Sequence, residues 1–185
     1  MFGVELDNNS NVLPIIAKAL DWLEKHHLDA EGLWRTSGSR TEIAKLQAVA
    51  DQTSTIPLDS GQNPHNVTNL LVRFMECIPG GLVGSSTATE LLASGSMLGN
   101  TPVFIGVTHA LVEILNRQLT GSQRELLGRL LQHWQRVVDC EENRMEAKAV
   151  ATCVFAAVFA GSVDLRLILV LESLITAPQE VPDRY

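Results

Sequence analysis

Three properties of this 185-residue sequence predict an all-α domain. Apolar residues recur at helical spacing along most of its length, several stretches between them carry helix-start signals, and none shows the strict alternation of a half-buried strand. Leu, Val and Ala dominate while aromatic residues make up only 5%, a composition suited to helix-on-helix packing. About seven to nine helices are expected in a single domain over residues 1–177, followed by a polar tail over 178–185.

The first helix opens near Pro14, a residue suited to a first helical position, and carries Ile15, Ile16, Ala19, Leu20 and Leu23 on one stripe. Ser39-Arg40-Thr41-Glu42 reads as a capping box that starts a second helix bearing Ile43, Leu46 and Ala50. Asp51 to Pro64, with two prolines and a glycine, reads as a long loop. From His65 a third helix places Val67, Leu70, Leu71, Phe74 and Ile78 on one face, and Pro79-Gly80-Gly81 ends it. A weaker helix is expected over 84–100. Thr101-Pro102 opens the next, with Val103, Val107, Ala110, Leu111 and Ile114.

Ser122-Gln123-Arg124-Glu125 gives a second capping box ahead of Leu126, Leu127, Leu130, Leu131, Trp134, Val137 and Val138. Arg144 to Phe159 is apolar almost all round, the signature of a central buried helix. Ser162 is the expected cap of a last helix ending near Thr176.

A net charge of −7 argues against nucleic acid or an anionic membrane as the main partner. The longest apolar block, Ala149 to Gly161, contains Thr152 and is too short to span a bilayer. Met1 to Asp7 lacks the basic region and apolar run of a signal peptide, so a cytoplasmic location is expected. Cys77, Cys140 and Cys153 are odd in number and widely spaced, which favours buried free thiols in a reducing compartment and no zinc site. His26-His27 reads as a solvated helix end. Gly80 to Ser86 lacks the ending of a phosphate loop, and no hydrolase motif occurs.

The most informative nine residues are Glu31-Gly32-Leu33-Trp34-Arg35-Thr36-Ser37-Gly38-Ser39. Leu33 and Trp34 can anchor the segment in a core while the Thr-Ser-Gly turn leaves the Arg35 guanidinium projecting. A rigidly mounted, outward arginine suits neutralisation of a phosphate held by another protein. The competing reading of Arg35 is a surface arginine paired with Glu31 or Asp29.

This stretch resembles the finger motif of the Rho-family GTPase-activating (RhoGAP) domain, E-G-(I/L)-(F/W/Y)-R-x-S-G. Three further segments resemble the family in the right order: Leu13-Pro14 through Leu23, Leu70 to Pro79, and Asn143-Arg144-Met145; Phe2-Gly3-Val4 resembles the segment that often precedes the domain. The resemblance implies the RhoGAP fold and a Rho-family small GTPase as partner. That partner would hold the GTP and magnesium, so no cofactor or metal of the chain's own is expected, and the domain is expected to be monomeric. Arg35 would be the catalytic finger, with Glu31, Gly32, Ser37, Gly38 and Ser39 supporting its loop. Glu31 is expected to act through backbone contacts, and Asn143 to cap the helix after it.

Departures from the family fall at its partner-binding positions. The family's lysine lands on Val72, with Arg73 one place later, its arginine on Glu76, and its asparagine on Ala149. Arg73 is either a substitute for that lysine or a solvated arginine. Val72 and Met75, one turn apart, would form an apolar contact patch in place of the polar set. Two functions follow: a GTPase activator working through Arg35, or a GAP-like interaction module without activity.

Overall fold

A computed structural model describes residues 2–3, 5–6, 12–59, 61–95 and 105–177. Its described residues form eight α-helices and no strand, as the spacing predicts. They are α1 (Val12–His26), α2 (Arg40–Thr53), α3 (Pro64–Glu76), α4 (Ser85–Gly95), α5 (Ile105–Gln118), α6 (Gly121–Asp139), α7 (Ala147–Val158) and α8 (Arg166–Thr176), with a 3-10 turn at Glu141–Asn143 between α6 and α7. The expected start at Thr101-Pro102, Val103, and the tail over 178–185 lie outside the described residues.

α7 packs on α3, α6 and α8, α1 lies against α6, and α2 lies against α3. One apolar core runs through all of them, with Trp134, Phe74 and Phe159 its largest fully buried side chains. The stripes expected in α1 and α3 are buried except for Ile15, which is half-buried, and Ile78 lies just past the end of α3.

Several helix starts differ from the sequence expectation, each for a local reason. α1 begins at Val12, two residues ahead of Pro14; a proline in the first turn removes an N–H that has no intrahelical partner anyway. α2 runs on to Thr53, where Ser54 ends it in a left-handed conformation, so the loop before α3 is shorter than expected. At α6 the complete capping box is Thr120 with Gln123, and Ser122 is buried in the first turn instead. α7 starts at Ala147 because Arg144, at φ 57°, closes the 3-10 turn. α8 starts at Arg166, whose N–H is accepted by Asp164 at 3.0 Å, while Ser162 Oγ accepts the Asp164 N–H.

α7 is not buried all round. Val150, Ala151, Val154, Ala157 and Val158 face the core, but Thr152, Cys153 and Ala156 are exposed and Ala149 is half-buried. At about 100° per residue these four share one arc. The thiols also differ from expectation: all three are free, but Cys77 and Cys140 are only half-buried and Cys153 is exposed.

Candidate functional site

Arg35 leaves a tight turn between α1 and α2 that backbone hydrogen bonds hold at several points. Gly32 is buried at φ 69°, a conformation that favours glycine. Its N–H donates to Asn143 O at 2.8 Å, and its carbonyl accepts from the Arg35 and Thr36 N–H groups at 2.8 and 2.9 Å. Leu33 and Trp34 are buried, as expected of the anchoring pair.

Trp34 has φ 74°. A bulky residue in this region costs of order 1–3 kcal/mol, so the surrounding structure must hold it there. Its ring meets Trp134 and His133 edge-on, each at a centroid distance of 5.6 Å. Its Nε1–H donates to His133 Nε2 at 3.1 Å.

The Arg35 side chain is exposed, and among the described residues no carboxylate pairs with it. The pairing with Glu31 expected of an ordinary surface arginine does not form, because Glu31 Oε1 accepts from Arg144 at 3.1 Å. The backbone contacts expected of the Glu31 side chain are absent among the described residues, and this exposed ion pair stands in their place. The Arg35 Nη2 and Nε atoms lie 3.4 and 3.5 Å from where a Cβ would stand on Gly32, so the guanidinium rests over a glycine that leaves it room. Its charge is also felt at Cys153 on the exposed arc of α7.

The far side of the loop is fixed to α3. Ser39 caps α2 by accepting the Glu42 N–H at 3.4 Å. The reciprocal half of the expected box is absent: Glu42 pairs with Lys45, and the Ser39 N–H goes to Asn66 Oδ1 at 2.8 Å. Asn66 also lies against Gly38, where a Cβ would come within 2.6 Å of its Oδ1 and 2.9 Å of its Cα. Asn69 Nδ2 donates to Thr36 O at 3.1 Å.

Beside this loop an open groove of ≈ 510 Å³ is lined by Ser37, Gly38, Arg40, Ile43, Asn69, Val72, Arg73 and Glu76. The structure thus brings Val72, Arg73 and Glu76 together with the loop, and Ala149 stands on α7 one turn from Cys153. Met75 does not belong to the surface: it is 1% exposed and packs in the core. It sits only about 40° from Leu71 around the helix, so it completes the buried stripe, and no Val72–Met75 patch exists.

Sequence reasoning missed a buried polar chain behind Trp34. His133 is fully buried, with Nδ1 3.0 Å from Glu24 Oε1. Glu24 also accepts from Arg129 at 2.7 Å and from Arg136. Indole nitrogen only donates, so His133 Nε2 is the acceptor and Nδ1 carries the proton toward Glu24. Burial lowers the His133 pKa against the raising influence of Glu24, in keeping with a neutral ring. Burial raises that of Glu24, but hydrogen bonds from His133 and Arg129 and the Arg129 charge outweigh it, bringing it to about 2 from an ordinary 4.5.

Both groups hold fewer protons folded than unfolded, so acid destabilises the fold. Urea unfolding is expected to show loss beginning as pH falls through about 6.5, the ordinary value of His133. A further loss of about 3 kcal/mol is expected as pH falls from 4.5 to 2, from Glu24. Glu24→Gln should lack that second stage; a profile identical to wild type would contradict the assignment.

Asn143 was expected to cap α7. It is fully buried, donates from Nδ2 to Leu28 O at 2.9 Å and Val137 O at 2.7 Å, and accepts the Met145 N–H at 2.8 Å. It therefore joins the end of α6, the α1 turn and the segment entering α7. Among the described residues no group of three or more His, Cys, Asp or Glu side chains is placed to hold a metal, and no helix is long and apolar enough to cross a membrane.

Residues 14–162 match the sequence profile of the RhoGAP domain. The chain is 30% identical over 161 residues to unconventional myosin-IXAa of Danio rerio, covering 84% of this chain and 6% of that protein. It is 28% identical over 145 residues to Rho GTPase-activating protein 27 of Homo sapiens, covering 77% of this chain and 16% of that one. It thus spans a small part of the length of either relative. Among solved structures, human Rho GTPase activating protein 15 superposes with a TM-score of 0.81 at 19% identity, over 94% of this chain and 88% of that one. The BH domain of GRAF, the GTPase regulator associated with focal adhesion kinase, superposes with a TM-score of 0.73 at 18% identity, over 93% and 91%. Both share the fold.

Proposed function

The chain belongs to the RhoGAP domain family, and from that premise we propose that it accelerates GTP hydrolysis by a Rho-family small GTPase, with Arg35 inserted in trans. The observation that carries this reading is an exposed arginine with no carboxylate partner among the described residues, mounted on a buried and conformationally strained Trp34. The GTPase would supply GTP, magnesium and the attacking water. During transfer, negative charge collects on the phosphoryl oxygens and the β–γ bridge, and a planar guanidinium can donate to two of them at once. No cofactor or metal of the domain's own takes part in this scheme.

Around Arg35 the exposed arc of α7 and the groove along α3 supply the contact surface, with Ala149, Val72, Arg73 and Glu76 facing the partner. Arg73 shares the groove with Val72, which supports its standing in for the family's lysine there.

A passive interaction module is the second reading, favoured by Val72, Glu76 and Ala149 at positions where the family carries polar or oppositely charged groups. Affinity for a Rho-family GTPase loaded with GDP, compared with GDP plus aluminium fluoride, separates the two. An acting finger binds the transition-state mimic at least tenfold more tightly. Equal affinities would assign the passive role.

A further inference from the structure

We propose that His133, held by Glu24, is a positioning residue for the Arg35 loop: by accepting the Trp34 indole N–H it keeps the Trp34 backbone left-handed and so fixes where Arg35 leaves the surface. The kinetic part of this inference rests on the finger reading of Arg35; the conformational part does not.

The backbone angle at Trp34 decides the direction of the chain at Arg35. Left-handed backbone is unfavourable for an indole-bearing residue, and relaxing φ from 74° to a negative value would swing the arginine away from its present exit. Ring packing against Trp134 buries the indole but tolerates some sliding. A hydrogen bond to a fixed acceptor does not. The acceptor comes from α6, 99 residues later in the chain, and is fully buried.

His133 is itself fixed. Its Nδ1–H faces Glu24 Oε1, and Glu24 is gripped by Arg129 and Arg136, with Arg129 also donating to Asp21 at 2.6 Å. Only one proton arrangement satisfies every member: indole N–H to Nε2, and Nδ1–H to the carboxylate. A phenylalanine at 133 would fill similar space yet leave the Trp34 N–H buried and without an acceptor.

The test combines amide and indole hydrogen exchange by NMR on the free protein with single-turnover GTP hydrolysis by a Rho-family GTPase at saturating domain. In His133→Phe the Trp34 indole and the Arg35 and Thr36 amides should exchange about tenfold faster than in wild type, relative to core amides such as those of Leu20 and Val154. The maximal stimulated rate should fall about tenfold, with the half-saturating domain concentration within about twofold of wild type. Trp34→Phe severs the same bond while keeping a ring, and is the variant to read if His133→Phe does not fold. It should reproduce the amide and kinetic changes, and the double variant should add little to either.

Unchanged loop exchange, or exchange that rises equally in the loop and the core, overturns the inference. So does a rise in half-saturating concentration with no fall in maximal rate. If wild type stimulates no GTPase, the functional reading of Arg35 fails by itself, and the exchange measurements still decide the role of His133.

Discussion

Arg35→Ala is expected to lower the GTPase rate at saturating domain by about 10³–10⁵-fold, close to the unstimulated rate. That corresponds to roughly 4–7 kcal/mol of barrier. It is the largest functional effect expected of any single change here, because an inserted arginine interacts mainly with charge that develops in the transition state. The variant is also clean. Arg35 is exposed and no carboxylate among the described residues pairs with it, so its removal should shift unfolding free energy by no more than about 0.5 kcal/mol. Arg35→Lys should recover only a small part of the rate, since a point charge lacks the planar fork. Single-turnover hydrolysis across several Rho-family GTPases measures all three proteins, and equal stimulation by Arg35→Ala and wild type would exclude a finger.

The largest effect on stability is expected at Asn143. Its side chain answers the part-buried carbonyl of Leu28, the buried carbonyl of Val137 and the buried N–H of Met145. Alanine would take that partner from all three where the Asn143 side chain is 0% exposed, and of the three the Val137 carbonyl keeps another, the Cys140 N–H at 3.3 Å. Two groups are then left without a partner, each costing about 1–3 kcal/mol when buried, and the part-burial of one brings the expected total to about 2–4 kcal/mol. That is a large share of a typical domain's 5–15 kcal/mol. Urea unfolding checks it. A change below about 1 kcal/mol would mean that water or local rearrangement replaces the amide. The effect also reaches the arginine, because the Asn143 carbonyl accepts the Gly32 N–H.

Much of this protein was legible before its structure, and the limits have physical causes. Most helices among the described residues were readable because they bury one regular stripe, and the Arg35 loop because an anchoring pair, an arginine and small turn residues are adjacent in sequence. Helix starts were harder where two caps overlap: Thr120 with Gln123 and Ser122 with Glu125 are both acceptable locally, and burial of Ser122 decides between them. Met75 was misplaced because one-turn spacing from Val72 says nothing about where the core ends, and its smaller angular distance from Leu71 settles it. The Trp34–His133–Glu24 chain links residues 99 and 109 positions apart, beyond the reach of local patterns. Its only signal was a histidine lying between apolar positions of α6. α7 was read as buried on all sides because alanine, threonine and cysteine do not reveal whether they meet a core or an open surface.

That exposed arc of α7 has a consequence for selectivity. Thr152 turns its hydroxyl back to Lys148 O at 2.7 Å, and the Cys153 thiol is held above its ordinary pKa by partial burial, which outweighs the lowering by Arg35. Ala149 and Ala156 offer no polar side-chain atoms at all. If this arc meets the GTPase as proposed, it would read contour and not chemistry: it would admit a closely approaching backbone, lose little rotamer freedom on contact, and discriminate poorly among GTPases of the same outline. Choice between them would then fall to Arg40, Arg73 and Glu76 along the neighbouring groove, whose mixed charges would set which side chains a partner could present there without penalty.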